Sequence, residues 1–305
     1  MNASCGICLG SAPPSAGYHT RCLQELFRAP VLPRIDLDQS KLLELAMAMV
    51  GHTSISGVQK QISLTLDRAA HHYAVEQSQY ILKPSATTFP ELPENEHATM
   101  RLAQLFRIPV PPCGLVRLTD GTVAYIVRRF DRLESGAKLR MEDFCQLSQL
   151  SPKQKYDSTA ERCVKLLRTY ATEPLIDIAA LYRLLVFAWW TGNGDMHLKN
   201  LSLLTGPDGR HQLSPAYDLV ATDIYPGLDQ GMALSLDGRK SNLTRPVWLR
   251  FAGACGVATK AAARVLDDVS ATMDRARELI SSSWLSEARR DEYLGLLELR
   301  AKSLV

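Results

Sequence analysis

Two hydrophobic periods divide this chain, and their order limits the folds open to it. From residue 60 to residue 130 the apolar positions recur mostly with the two-residue period of a half-buried strand. Gln61-Ile62-Ser63-Leu64-Thr65-Leu66 alternates polar and apolar, and Tyr80-Ile81-Leu82-Lys83-Pro84 is a second short strand stopped by its proline. Stretches 115–118 and 123–127 flank Thr119-Asp120-Gly121-Thr122, whose Asp-Gly pair predicts a hairpin turn. One helix lies between them. It starts after Pro93, is acidic in its first turn at Glu94 and Glu96, and buries Ala98, Leu102, Leu105 and Phe106 at helical spacing. A further helix is expected over 41–50. Beyond residue 140 the period is helical: 159–170 and 176–190 are long periodic segments, the second apolar around most of its circumference and so expected to be buried. Short strands at 201–204 and 212–213 interrupt before helices return from about Pro246. The pattern predicts an α+β fold, a small sheet-rich lobe followed by a larger, mainly helical one.

Composition narrows the class. At about 150 residues per domain, 305 residues suggest two lobes. With 46% hydrophobic and 22% charged residues the chain is neither disordered nor a coiled coil. A net charge of +3 gives no bulk attraction to nucleic acid or to an anionic membrane. The longest apolar run, Leu184 to Trp190, is far short of the ~20 residues of a spanning helix, and the first residues lack a secretory pattern. A cytoplasmic protein with no membrane partner is expected.

Seven cysteines, an odd and scattered set, argue against a disulfide framework. The first three stand apart, because Cys5-x-x-Cys8 is followed by His19-x-x-Cys22. Two such half-motifs can supply a tetrahedral Cys3His zinc site, a structural metal for a segment too short to build its own core. Three reduced thiols beside a surface histidine would read the same way. The expected organisation is a Cys/His segment over 1–35, a first lobe over 36–132 and a helical lobe over 133–305.

Four short segments carry chemistry. Asn193-Gly194-Asp195-Met196-His197-Leu198-Lys199-Asn200 directly follows the buried helix, with Asp195 and Asn200 five positions apart. That is the spacing of a kinase catalytic loop, in which one end aims a base at the nucleophile and the other reaches the metal. Lys199 lies between them and could neutralise charge on a transferred phosphoryl group. A polar turn ending a helix would also be written this way. Pro215-Ala216-Tyr217-Asp218-Leu219 places an aspartate after a short strand, where a kinase keeps a second magnesium ligand, although no Phe-Gly follows it. Lys83 ends a strand and could meet nucleotide phosphates, oriented by Glu94 or Glu96. Ser54-Ile55-Ser56-Gly57-Val58-Gln59 is a loop of mainly small residues that can bring backbone N–H groups to phosphate.

Taken in order, Ser-Gly-Val-Gln, Tyr-Ile-Leu-Lys-Pro, Pro-Glu-Leu-Pro-Glu-Asn-Glu, Arg-Arg-Phe-Asp-Arg at 128–132, Gly-Asp-Met-His-Leu-Lys-Asn and Ala-Tyr-Asp-Leu resemble the HipA-type serine/threonine kinases of bacterial toxin–antitoxin systems. The resemblance runs from about residue 50 to 290 and implies a two-lobed kinase-like fold. It implies Asp195 as catalytic base, Asn200 and Asp218 as magnesium ligands, and Lys83 on the ATP phosphates. Ser56, Gly57, Val58, Gln59, Lys60 and Gln61 would close over the nucleotide; Lys60 stands where the family usually has another residue, with its lysine one position later. His197, Lys199 and Tyr217 would line the site, and Arg128, Arg129 and Phe130 would form the hinge beside adenine. The resemblance further implies autophosphorylation of this loop, at both Ser54, which better matches the family's modified position, and Ser56, with an aminoacyl-tRNA synthetase as substrate and a DNA-binding antitoxin as partner. The full-length family carries an N-terminal subdomain that about fifty residues cannot hold. The short HipT-like form, with that subdomain on a separate small protein, is therefore the expected type. A kinase of small molecules and a non-catalytic module assembling with an antitoxin are the competing readings. No helix-turn-helix is recognisable, so direct DNA contact is not expected.

Overall fold

The computed structural model describes residues 4–13, 17–41, 61–67, 72–74, 79–85, 88–228 and 231–305. Residues 42–50 of the helix expected over 41–50, and the phosphate loop from Ser54 to Lys60, lie outside these described residues. The chain forms two compact units, one of Met1–Arg101, Pro111–Ala137 and Ser281–Ser286, the other of Leu102–Val110, Lys138–Ile280 and Glu287–Val305.

The first unit is built on a five-stranded antiparallel sheet of β1 (Ile62–Asp67), β2 (His72–Ala74), β3 (Tyr80–Pro84), β4 (Cys113–Arg117) and β5 (Val123–Arg128), in the order β2-β1-β3-β5-β4. The register aligns Ile62, Leu82, Ile126 and Gly114 in one cross-strand row. Because side chains alternate along a strand, this face also carries Leu64, Tyr80, Ala124 and Val116, and all seven of these side chains are buried in one core. That core is completed by Cys22, Leu23, Leu26 and Phe27 from helix α1 (Thr20–Phe27), an amphipathic helix of about two turns that ends in a left-handed Arg28 at φ 57°. Sequence periodicity did not predict α1: two turns offer too few repeats to register. The opposite face presents Lys83, Tyr125 and Leu115, which stand side by side in the register. Helix α2 (Leu92–Leu105) begins in this unit and brings Glu96 to Lys83.

The second unit holds α3 (Phe144–Leu147), α4 (Ala160–Tyr170), α5 (Pro174–Trp190), α6 (Arg245–Ala254), α7 (Thr259–Ser281) and α8 (Glu287–Lys302), with a small sheet of β6 (Met141–Asp143), β7 (Ser202–Thr205) and β8 (His211–Leu213) in that order. Thr159 caps α4 by accepting from the Arg162 N–H. Helix α5 is buried on every side over its second half, as its composition predicts, and packs on α4, α8 and β8. Its aromatic residues set the contacts: Phe187 and Trp190 tilt against Phe106, while Tyr182 meets Trp248 edge-on. No helix among the described residues is long and apolar enough to cross a membrane.

Candidate active site

In the first unit the decisive contact is an ion pair. The Lys83 ammonium donates to Glu96 Oε1 at 2.7 Å, with 6% and 1% of the two side chains exposed. Lys83 also lies 5.6 Å from the centroid of the Tyr125 ring beside it on the sheet. The two glutamates that the sequence offered are thereby separated. Glu96 faces the sheet, while Glu94 sits apart, its pKa pushed up to about 7 by burial with the Glu91 charge adding to it. Arg129 forks onto Asp131 at 2.8 and 2.7 Å, Arg132 joins the same carboxylate, and the Arg128 guanidinium donates to the Glu25 carbonyl. The segment 128–132 is thus held by its own charges as β5 ends.

In the second unit, Gly192 ends α5. Its φ of 63° is left-handed, and a Cβ there would stand 2.7 Å from Leu296 and 2.8 Å from Asp223. Only glycine makes this turn without displacing a neighbour. The Gly192 carbonyl accepts from the Thr222 hydroxyl, which itself accepts from the Gly194 N–H at 2.7 Å. Asn193 Oδ1 takes the Asp195 N–H, and Asn200 Nδ2 donates to the Asp195 carbonyl at 2.9 Å. The five-residue spacing read from the sequence is therefore a closed loop whose two ends are joined. With Nδ2 so engaged, the Asn200 amide oxygen is the atom available for a cation.

The Asp195 carboxylate, about half exposed, accepts a hydrogen bond from the Tyr156 hydroxyl. His197 Nε2 lies 3.8 Å from it. Burial depresses the His197 pKa against the pull of Asp195, and the Asp218 charge is near enough to be felt there as well. Tyr156 meets His197 edge-on at 5.0 Å. Asp218 holds φ 58°, a left-handed conformation uncommon outside glycine and tolerated by Asp, as often at functional turns. Tyr217 does not present its hydroxyl to a ligand here: it donates to the Lys199 carbonyl at 2.9 Å and accepts from Ser202 at 2.6 Å. Lys199 gives its ammonium to Asp143 at 2.9 Å.

Periodicity and spacing missed three of these residues. Asp143 caps α3 in a reciprocal box with Gln146 while its second oxygen holds Lys199. The Asp-x-x-Gln pattern at 143–146 could have found the cap, though not the lysine. Thr222 and Tyr156 had no local signal, since their roles depend on partners 28 and 39 residues away. Elsewhere, Cys5, Cys8, His19 and Cys22 are brought together, with one ligand atom of each within 4.8 Å of all the others.

Residues 53–277 match the family model described as HipA-like C-terminal domain. The chain belongs to that family. Among HipA-like relatives, a protein of Sinorhizobium fredii named a putative kinase is 30% identical over 265 residues, 82% of this chain and 63% of that protein. The serine/threonine-protein kinase toxin HipA of Shewanella oneidensis is 30% identical over 205 residues, 60% of this chain and 46% of the toxin. The chain thus spans less than two thirds of the length of these curated relatives. HipA of Shewanella oneidensis, solved with HipB and operator DNA, superposes with a TM-score of 0.70 at 20% identity, over 87% of this chain and 70% of that one. The proinflammatory kinase CtkA of Helicobacter pylori gives 0.55 at 14% identity, over 73% and 86%. These likenesses show the kinase-like two-lobed HipA fold.

Proposed function

We propose that the protein is an ATP- and magnesium-dependent serine/threonine protein kinase, the toxin of a toxin–antitoxin pair. One observation carries the reading: a single loop presents an aspartate carboxylate to a hydroxyl and joins that aspartate to an asparagine five residues on. Tyr156 supplies the hydroxyl in this structure, and a serine or threonine hydroxyl of a substrate would take its place on Asp195. Asp195 would accept the proton as the hydroxyl attacks. Asn200 and Asp218 offer one amide oxygen and one carboxylate, the hard oxygen set that magnesium prefers together with phosphate oxygens. Mg-ATP would supply the phosphoryl group and the charge neutralisation between its phosphates. Lys83, oriented by Glu96, would bind those phosphates together with backbone N–H groups of the loop Ser56 to Gln61. Lys199 could reach the phosphoryl group only by releasing Asp143, so holding the loop in shape is the role its contacts favour. His197, its pKa lowered by burial, would stand beside the base.

By the HipA resemblance the substrate would be an aminoacyl-tRNA synthetase, and the partners a DNA-binding antitoxin and a separate small protein. Labelled ATP and a cell lysate, followed by mass spectrometry of the labelled protein, test the activity and identify its target together. Label only in small molecules would favour the small-molecule kinase instead.

Two further outcomes are expected. Asp218→Asn should weaken calorimetric binding of Mg-ATP, because it deletes a hard carboxylate ligand; unchanged affinity would remove Asp218 from the metal. Phosphate should appear on Ser54 or Ser56 in active protein and be missing from the Asp195→Asn variant. The added charge of about −1.5 to −2 would repel nucleotide phosphates, so modification should lower activity. Loop phosphate on the inactive variant expressed alone would assign it to another kinase.

A further inference from the structure

We propose that Cys5, Cys8, His19 and Cys22 form a structural zinc site that fastens the N-terminal segment to the edge of the sheet and to helix α2. Among the described residues this is the only cluster with three or more metal-ligating side chains in reach of one ion. A tetrahedral zinc with Zn–S of about 2.3 Å and Zn–N of about 2.0 Å separates a sulfur from a nitrogen ligand by about 3.5 Å. His19 Nδ1 lies 3.3 Å from Cys8 Sγ and 3.7 Å from Cys22 Sγ. The other ring nitrogen, Nε2, is 2.8 Å from the Ser11 carbonyl, an acceptor that requires a proton there. That contact leaves the lone pair on Nδ1, facing the sulfurs, the outer-shell arrangement that orients a metal-binding histidine. None of the three cysteines is in a disulfide, and Cys5 and Cys22 are buried. The backbone is shaped around them: the Cys5 N–H donates to the Gly10 carbonyl at 2.7 Å, Leu9 turns through φ 63°, and its N–H returns to the Cys5 carbonyl. Such a tight double turn presents both sulfurs of a Cys-x-x-Cys pair to one point.

The turn between Cys5 and Cys8 is also where the segment grips the rest of its unit. The Gly6 carbonyl accepts from the Leu115 N–H at 2.7 Å and so pairs with β4, the last strand of the sheet. A Cβ on Gly6 would lie 2.7 Å from Tyr18 and 2.9 Å from the Leu115 carbonyl, and one on Gly114 would lie 2.8 Å from Ile7. The two glycines permit this approach. The Ile7 carbonyl accepts from His97 Nε2 at 2.9 Å, and His97 neighbours Glu96 on α2. Trp284 Nε1 donates to the Ser4 carbonyl. Zinc bound by the four ligands would hold this turn closed, and His97 is a positioning residue that relays its fixed geometry to α2. The proposal rests on ligand geometry and stands apart from the kinase reading.

The test uses the full chain purified without chelator or metal-affinity resin. Elemental analysis should find about one zinc per chain, and cobalt exchanged for zinc should show a thiolate charge-transfer band with the intense visible bands of a tetrahedral ion. Cys8→Ser should cut bound zinc to less than about a tenth, while His19→Cys, which keeps four ligands, should retain it. Removing the metal should raise hydrogen exchange in the α2 peptide over 92–101 and leave α7 unchanged. Less than about a tenth of a zinc in the wild type, with no cobalt bands, would overturn the site. So would full zinc in both Cys8→Ser and Cys22→Ser. If these variants do not fold, the wild-type zinc content and cobalt spectrum decide. Unaltered exchange in α2 after complete zinc loss would refute the positioning role.

Discussion

Asp195→Asn is expected to slow phosphoryl transfer about 10²–10⁴-fold, the usual effect of losing a general base. The structure explains why chemistry should fail while the fold persists. The bond that closes the loop runs from Asn200 to the main-chain carbonyl of residue 195, and the Asn193 contact uses its main-chain N–H. Neither depends on the carboxylate. An asparagine oxygen can still accept from Tyr156, so shape and hydrogen bonding are kept and only proton affinity is lost. Mg-ATP affinity should stay within about twofold, since the nucleotide is assigned to other residues. Steady-state rates with a phosphorylated target, read beside calorimetric binding, separate the two effects. Transfer within a few-fold of wild type would remove Asp195 from the role of base.

Glu96→Gln is expected to destabilise the sheet unit. It breaks the buried ion pair with Lys83 from one side, a change that costs up to about 3–5 kcal/mol where no other contact offsets the remaining charge. Lys83 and Glu96 are nearly inaccessible to water, so solvent screening discounts little of this cost. The double variant Lys83→Met with Glu96→Leu should recover most of the loss, since two apolar side chains of similar volume avoid the desolvation penalty. Urea unfolding of the wild type, the single and the double variant reads the comparison directly. A double variant as unstable as the single one would show that packing, and not the loss of the ion pair, sets the cost. The same double variant should not bind Mg-ATP productively, so the pair would be kept for nucleotide binding at no net gain in stability.

Several elements were legible before any coordinate. The alternation at Ile62, Leu64 and Leu82 foretold strands with one buried face, because a period of two commits every second side chain to the same side. The apolar circumference of Ile176–Trp190 foretold a buried helix, and the Gly-Asp-Met-His-Leu-Lys-Asn segment after it foretold a loop joining Asp195 to Asn200. The Cys-x-x-Cys and His-x-x-Cys spacings foretold a cluster. Each of these is a local property, written within a few residues and enforced by backbone geometry.

What the tertiary structure alone decided are the pairings between distant residues. Either Glu94 or Glu96 could have met Lys83, since both sit in the first turns of α2; the rotation of that helix over the sheet chose Glu96 and left Glu94 buried apart. Lys199 reads as a cation for phosphate until Asp143, 56 residues earlier, is found holding it. Tyr156 carries no local signal, and only the fold sets its hydroxyl on Asp195. Nor does spacing reveal that the turn at Cys5–Cys8 locks onto β4 and His97, 90 residues on from Ile7. Periodicity reports which side of an element is apolar. The partner of a charge depends on which elements pack together and at what rotation, and that is fixed by the shape of the whole core, which no local window contains.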